Sequence, residues 1–366
     1  MAAWGRCMPF RVCFAYPWAT YGGVERVLLN RAYAFMAKGL DVDIDVYYAA
    51  DGGGMASFQR TIRELGLDSR MRVVPTLVES AYDAIFVIDA PDMLPKQFGA
   101  RAKWVVECHT PYRENREYLS RLPEGVQHVL VPSSTFADTL QAERPELAAK
   151  ITLLRNCVSP AYAGDFPRLP AWAQRPLLYF GRLDELKNPQ EFLDVLAELE
   201  RRAPNHYFGV VVGPEVPGYG MERRIDAAGL RGRVVQMPPL AFTRTALFLA
   251  SWCRAGGIML SPSRGETFGL AVAESIAAGI PVVLSHLPEH SELISADAGH
   301  LYPLGDIVAA AEKVIAIDTD YEAASERMYA HARRFSDDAF VSDWVRLLVE
   351  LGLEVAGSSK FEEIAL

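Results

Sequence analysis

Short β-branched and aromatic runs alternate with stretches of helical period along almost the whole chain, and the alternation is interrupted once before it restarts. Before the break the candidate strands are FRVCFAY (10–16), VDIDVYY (42–48), AIFVI (84–88), KWVVEC (103–108) and HVLVP (128–132). After it they are PLLYFGR (176–182), YFGVVVG (207–213), RVVQM (233–237), GIMLS (257–261) and PVVLS (281–285). Strands this apolar, separated by helices, fit parallel sheets covered on both faces. Between 24 and 40, Val24, Val27, Leu28, Ala32, Phe35 and Met36 recur at helical spacing and Gly39 supplies a stop. The break, AGDFPRLPAWAQRP at 163–176, has three prolines and no period, as a linker would. A chain of 366 residues is long for one core, so two α/β domains of like architecture are expected. The stretches 306–317, 320–335 and 337–353 are helical in period, and the tail AGSSKFEEIAL (356–366) is read as loose at its start.

Half of the residues are hydrophobic and 23% are charged, an ordinary globular balance rather than a disordered one. A formal net charge of −9 argues against nucleic acid or anionic lipid as the main partner, because such partners are held by concentrated Lys and Arg. The five cysteines, Cys7, Cys13, Cys108, Cys157 and Cys253, are scattered and form no C-x-x-C pair, which suits buried thiols in a reducing cytoplasm. MAAWGRCMPF lacks the apolar core of a signal peptide, and no segment has the ~18 consecutive apolar residues of a membrane span. A soluble, cytoplasmic protein is expected. In PYRENREYLSRL (111–122), Glu114 and Glu117 offset Arg113, Arg116 and Arg121. The stretch reads as a solvated helix, with weak peripheral membrane contact as the alternative.

Four stretches contain residues able to do chemistry. In YPWATYGGVER (16–26), Gly22 and Gly23 precede a helix whose unpaired N–H groups suit an anion, or else form an ordinary tight turn. No G-x-G-x-x-G dinucleotide fingerprint is present. In FGRLDELKN (180–188), Arg182 and Lys187 follow a strand at its carboxyl end, the ligand side of a wound sheet, where they clamp a diphosphate or are merely solvated charges. SHLPEHSEL (285–293) formally fits H-x-x-E-H with His286, Glu289 and His290. Pro288 belongs in a helix's first turn, which leaves His286 outside the helix and disfavours zinc. His109 follows a strand in VVECHTPY, and no G-x-S-x-G elbow is present.

SRGETFGLAVAES (263–275) is the most informative stretch. Its strand ends at Ser261, Pro262 opens a loop, and the period Leu270, Val272, Ala273, Ile276, Ala277 predicts a helix starting near Phe268. Glu266 then lies in the loop and Glu274 about two turns into the helix. Carboxylates so placed do not easily flank one bond as a glycosidase pair would, but suit two parts of one elongated ligand. Gly265, Gly269 and Ala271 let backbone N–H groups approach that ligand.

Together these residues resemble the retaining nucleotide-sugar glycosyltransferases of family four, whose GT-B fold sets two Rossmann-like doubly wound domains facing each other across a cleft. The resemblance covers both domains in order. It rests on the E-x7-E pattern of Glu266 and Glu274, on Arg182 and Lys187, and on the double glycine of YGGVER. It implies an acceptor-side domain over 1–165, with the helix of about 337–353 packing back on it, and a donor domain over 172–336. By the same resemblance, Glu266 contacts hydroxyls of the donor sugar and Glu274 holds the ribose. Arg182 and Lys187 neutralise the leaving diphosphate, while Gly22 and Gly23 close over it. His109 is the histidine near the transferred sugar, and Gly181, Thr267, Phe268, Gly269 and Leu270 bind the donor beside them. The "PE" of Pro288 and Glu289 also recurs in the family near the donor.

The implied reaction moves a hexose-type sugar from a UDP- or GDP-linked donor to a hydroxyl acceptor, which is a glycan, a lipid-linked molecule or a small molecule. It proceeds with retention by same-face attack, and with no metal or other cofactor. Fixed cations at the diphosphate favour the transition state, in which negative charge grows on the leaving group. Two departures from the family pattern are NCVSP (156–160), where relatives often have asparagine-glycine-valine-aspartate, and MPPL (237–240), where they often have a glycine after the third strand. The second leaves the base open. A sugar phosphorylase or nucleotide-sugar epimerase of the same fold, and a catalytically idle nucleotide-sugar binding subunit, are the alternatives.

Overall fold

The structure, a computed structural model, describes residues 9–164 and 172–353. Cys7 with the rest of the N-terminal segment, residues 165–171 of the linker stretch, and the tail from 356 lie outside the described residues. The chain divides into two compact units, Met1–Ser159 with Phe335–Leu366, and Pro160–Arg334.

The first unit contains seven parallel strands: β1 (Phe10–Ala19), β2 (Val42–Asp51), β3 (Met71–Val74), β4 (Ala84–Ile88), β5 (Lys103–Glu107), β6 (Val126–Val131) and β7 (Ile151–Leu153). Their order is β3-β2-β1-β4-β5-β6-β7. Every residue of β4 is buried, as its uninterrupted apolar run requires of a strand covered on both faces. Helix α1 (Gly23–Lys38) returns from β1 and stops at Gly39, whose φ of +70° suits a residue without Cβ. Two further helices, α2 (Met55–Glu64) and α3 (Ser134–Glu143), follow β2 and β6; the Ser133 hydroxyl caps α3 by accepting from the Phe136 N–H at 3.2 Å.

The second unit repeats the plan with β8 (Arg175–Phe180), β9 (Tyr207–Val212), β10 (Val234–Met237), β11 (Ile258–Ser261), β12 (Val282–Ser285) and β13 (Leu301–Tyr302), in the order β10-β9-β8-β11-β12-β13. Its helices are α4 (Pro189–Arg202), α5 (Met221–Ala227), α6 (Phe242–Arg254), α7 (Leu270–Ala277), α8 (Pro288–Leu293), α9 (Ile307–Thr319) and α10 (Tyr321–Ala332). The core on one face of this sheet includes Phe192, Leu193, Leu196, Leu260 and Val314, all buried.

The last helix, α11 (Asp337–Glu350), belongs to the first unit. Its Phe340 and Trp344 rings pack on Phe35 at 5.3 and 4.9 Å, and Trp344 also meets Phe86 at 5.4 Å. Truncating a buried aromatic of this size typically costs ~3–5 kcal/mol, so this contact alone binds α11 firmly to α1 and the sheet beneath. Arg155 adds a bidentate grip on the buried Asp343, at 2.7 and 2.8 Å.

In both sheets the strand order reverses between neighbours, at β1 and β4 in one and at β8 and β11 in the other. Ligands of wound sheets bind at the carboxyl ends of strands beside such a reversal. Three short strands, β3, β7 and β13, were not expected from the sequence; at two to four residues at the ends of their sheets, they carry too little pattern to read. Among the described residues no helix is long and apolar enough to cross a membrane. Cys13, Cys108 and Cys157 are buried and Cys253 is partly exposed, all as free thiols.

Candidate functional site

In the second unit, the loops leaving β8 and β11 are fastened to one another. Gly181 donates its N–H to Val212 O at 3.0 Å, keeping the end of β8 against β9. That approach is close enough that a Cβ on Gly213 would lie 1.8 Å from Gly181 O, so only glycine fits there. Beyond Gly181 the loop is tied down at both ends: the Tyr179 hydroxyl donates to Arg182 O at 2.6 Å, and Asp184 accepts the Lys187 N–H at 2.8 Å. Asn188, at φ +53°, opens α4 and donates through Nδ2 to Pro262 O at 3.2 Å. Arg264 N–H donates to Leu186 O at 2.8 Å, so the two loops lie side by side.

This lacing brings Lys187 and Glu266 together. Lys187 Nζ lies 2.5 Å from Glu266 Oε1, which also accepts the Ser263 hydroxyl at 2.9 Å. Burial alone would raise the Glu266 pKa, but Lys187 first, then His290 and Ser263, hold it below the usual carboxylate range. Arg182 does not join them. It pairs with Asp184 at 2.8 Å and stays half exposed.

The helix after Glu266 starts at Leu270, two residues later than Phe268, because Gly269 at φ +87° keeps the loop open for one more turn. Glu274 is therefore in the second turn rather than two turns in, and it is buried. Phe268 is also buried, while Gly181, Thr267 and Leu270 are half-buried. Helix α8 begins at Pro288, leaving His286 exposed outside it and His290 buried within it. Among the described residues no group of three His, Cys, Asp or Glu side chains is gathered to hold a metal ion.

His290, considered in the sequence only as a zinc ligand, lies near Glu266 instead. Its Nδ1 is 2.8 Å from Ser285 O, and the Ser285 hydroxyl donates to Ser263 O at 2.6 Å. Burial lowers its pKa, its Nδ1–H donates to that carbonyl, and its buried Nε2 has no hydrogen-bond partner among the described residues. Ser263, Asp184, Asn188 and His290 are thus the site residues that sequence reasoning missed. Asn188 directly precedes α4 and Ser263 lies two residues beyond the end of β11, positions that could have marked them, whereas Asp184 in mid-loop and His290 inside α8 carried no such signal.

In the first unit the positive end of α1 is already served by a protein anion. Buried Glu25 accepts the N–H of Gly22 at 2.7 Å and of Thr20 at 3.1 Å. Gly23 is open, and a Cβ there would meet nothing within 4 Å. His109 follows β5, and its N–H is held by both oxygens of Asp89, each at 3.1 Å. Its Nε2 is 2.8 Å from Glu107 Oε2, and the other oxygen of Glu107 takes the buried Arg31 at 2.8 Å. Burial would raise the Glu107 pKa, but Arg31 and His109 bring it down to about 2. Burial raises that of Asp89. Residues Glu114–Arg121 form a 3-10 helix that is not wholly solvated, because Arg116 is buried, paired with Glu143 at 2.8 Å and stacked over Phe136. Arg116 therefore cannot serve a membrane surface.

The model of the glycosyl transferases group 1 family matches residues 174–320, which span β8 to β13 and carry every second-unit site residue described above. The second unit is a glycosyl transferases group 1 domain. The chain is 33% identical over 122 residues to the D-inositol 3-phosphate glycosyltransferase of Paenarthrobacter aurescens, covering 32% of this chain and 29% of that protein. It is 30% identical over 237 residues to the glycogen synthase of Mycobacterium tuberculosis, covering 62% of this chain and 55% of that protein. The chain thus spans under a third of the first relative's length and about half of the second's. Anabaena HepE, solved with UDP and glucose, superposes with a TM-score of 0.72 at 17% identity, over 93% of this chain and all of that one. S. aureus TarM, in a complex that includes UDP, gives 0.74 at 12% identity, over 92% and 99%. Both likenesses place the group 1 domain and its companion unit in the GT-B fold, each a Rossmann-like parallel sheet.

Proposed function

We propose that the chain is a retaining glycosyltransferase that moves a hexose-type sugar from a nucleoside diphosphate sugar to a hydroxyl acceptor. The observation that carries this reading is the Lys187–Glu266 pair, at the strand reversal of a group 1 domain. Glu266 offers an ionised carboxylate to sugar hydroxyls, and Lys187 with Arg182 offers positive charge to the leaving diphosphate. Glu274, within α7, holds the ribose, and the backbone of Gly181 and of 267–270 lines the donor. His109 serves the transferred sugar, and Gly22 and Gly23 the diphosphate. Two structural relatives bind UDP, which makes UDP-sugars the first donors to try.

Cleaving a sugar–phosphate bond places negative charge on the departing oxygen, and a cation fixed there in advance lowers the barrier most at that moment. Lysine and arginine supply that charge, so the reaction needs no metal. The test is a thermal-shift screen of nucleotide sugars, followed by NMR of the product. A ligand at 100 times Kd stabilises by ~2.7 kcal/mol, which such a screen reads. The expected product keeps the donor's anomeric configuration and forms unchanged in EDTA. An inverted product, or turnover lost in EDTA and restored by magnesium or manganese, would refute the proposal. Dependence on orthophosphate, or conversion with no acceptor, would make the chain a phosphorylase or an epimerase instead.

A further inference from the structure

His290 is fully buried in the short helix α8, and one edge of its ring is fixed. Nδ1 meets the Ser285 carbonyl at 2.8 Å and the Ser285 hydroxyl at 3.3 Å, so the end of β12 takes the Nδ1–H. The opposite edge carries Nε2, a buried nitrogen with no hydrogen-bond partner among the described residues. A buried polar atom left unpaired is destabilising, so stability does not explain a histidine at this position.

That edge turns toward the start of α7, since a Cβ on Gly269 would lie 3.7 Å from His290 Cδ2. Gly269 closes the loop that carries Glu266. Ser285 ties ring and loop together a second time: its hydroxyl donates to Ser263 O at 2.6 Å, and the Ser263 hydroxyl donates to Glu266 Oε1 at 2.9 Å. The two ionisable groups that act on the ring are Glu266, from the loop after β11, and Lys187, from the loop after β8. Burial is the largest influence and Lys187 adds to it, so the ring gains a proton less readily than an ordinary histidine, while Glu266 favours the proton.

Under the function proposed above, Lys187 serves two anions. It balances Glu266 when no ligand is bound, and it faces the leaving diphosphate when a donor binds. A carboxylate only 9% exposed that loses its cation is costly to keep charged unless another positive charge replaces it. We propose that His290 is the reserve counter-charge of Glu266: when a diphosphate takes Lys187, a proton from solvent adds to Nε2, and the imidazolium balances the carboxylate in its place. Nδ1–H stays on Ser285, and Glu266 stays ionised to accept sugar hydroxyls. His290 touches neither sugar nor diphosphate in this role; it is a positioning residue. Donor binding is thereby coupled to proton uptake, so donor affinity rises as pH falls from about 8 toward 6.

The first measurement needs no donor. The full chain is labelled in histidine and titrated by NMR, and His290→Gln identifies the signal among the seven histidines. Lys187→Gln is expected to move the His290 titration up by about one pH unit, because a like charge is removed and Glu266 is left facing the ring. Lys187→Arg keeps the charge and should leave the titration in place, while Glu266→Gln should lower it. The second measurement is calorimetric titration with UDP-glucose near pH 6 in two buffers of different ionisation heat. A nucleotide sugar has no phosphate that titrates near neutrality, so proton uptake belongs to the protein. Uptake of up to one proton is expected in the wild type, vanishing above about pH 8 and absent in His290→Gln. A His290 titration indifferent to Lys187→Gln, or uptake that persists in His290→Gln, would overturn the proposal; in the second case the proton goes to Glu266 itself. A chain that bound no nucleotide sugar would refute the functional reading, and the NMR titration would still decide whether His290 answers to Lys187.

Discussion

Replacing Lys187 by alanine removes the cation from a carboxylate that keeps, among the described residues, the Ser263 hydroxyl as its hydrogen-bond partner. The Glu266 side chain is 9% exposed and that of Lys187 23%. Breaking a fully buried pair by deleting one partner costs ~3–5 kcal/mol, and the partial exposure of Lys187 with the retained Ser263 contact reduces this to about 2 kcal/mol. For a domain of 150–250 residues, 1 kcal/mol moves Tm by roughly 2–4 °C, so Lys187→Ala should lower the melting of the second unit by about 4–8 °C. Calorimetry is the assay, because the two units need not melt together. Arg182→Ala is the internal control. Its half-exposed pair with Asp184 belongs to the class worth ~0–1 kcal/mol, and its Tm should stay within about 4 °C of wild type.

The dependence on pH provides a second check. Glu266 has its pKa depressed in the fold, so its contribution is fully present above the ordinary carboxylate pKa of ~4.3 and is lost as pH falls through the lower folded value. The gap between wild type and Lys187→Ala should therefore be open at pH 7 and narrow below about pH 4. A variant melting within about 1 °C of wild type at pH 7 would show that the pair does not hold the two loops together.

Three further outcomes follow from the same geometry. Arg182→Ala and Lys187→Ala should each lower kcat by ~10²–10³ while raising donor KM less, and Arg182→Lys should recover only part because lysine lacks the bidentate fork; steady-state kinetics with a good donor decide it. Glu274→Ala should weaken binding of the free nucleoside diphosphate, whereas Glu266→Ala should leave it nearly intact and impair selection of the sugar, as calorimetric titration with nucleotide and nucleotide sugar will read. Asp337, buried at the start of α11 with an unpartnered Oδ1, has its pKa raised by burial to about 6. An acid raised in the fold loses stabilisation as pH climbs from ~3.9 toward that value, so Asp337→Asn should gain Tm relative to wild type between pH 4 and pH 7, and a flat difference would contradict the burial argument.

The doubly wound plan was legible because burial on both faces forces uninterrupted apolar strands, as in AIFVI, and these alternate with stretches of helical period. The edge strands were not, since Leu301–Tyr302 holds its place by pairing with β12 and carries no period of its own. The later start of α7 turned on a single backbone angle at Gly269. Within the candidate site, spacing indicated that Glu266 belongs to a loop and Glu274 to a helix. It could not show that Lys187 would reach Glu266, because that contact depends on Asn188 and Arg264 fastening two loops 74 and more residues apart in the chain.

The pairing has a consequence for how a donor would be held. Each cation expected at the diphosphate already has a carboxylate partner, Glu266 for Lys187 and Asp184 for Arg182. Neither carboxylate is a bystander to the loop: Asp184 also accepts the Lys187 N–H, and Glu266 also accepts Ser263. Such partners keep the charges in register without a ligand, and a pre-oriented cation needs no reorganisation when negative charge develops in front of it. The same partners compete with the ligand, so ground-state binding is weakened relative to the transition state, where the phosphate oxygen carries more charge. Under the proposed function this difference favours kcat over tight donor binding. It also explains why removing Asp184 should act in the opposite sense to removing Arg182: Asp184→Asn frees the guanidinium for the diphosphate and should lower donor KM, while the loosened loop costs turnover. A rise in KM for Asp184→Asn would mean that orientation of Arg182, rather than competition for it, dominates.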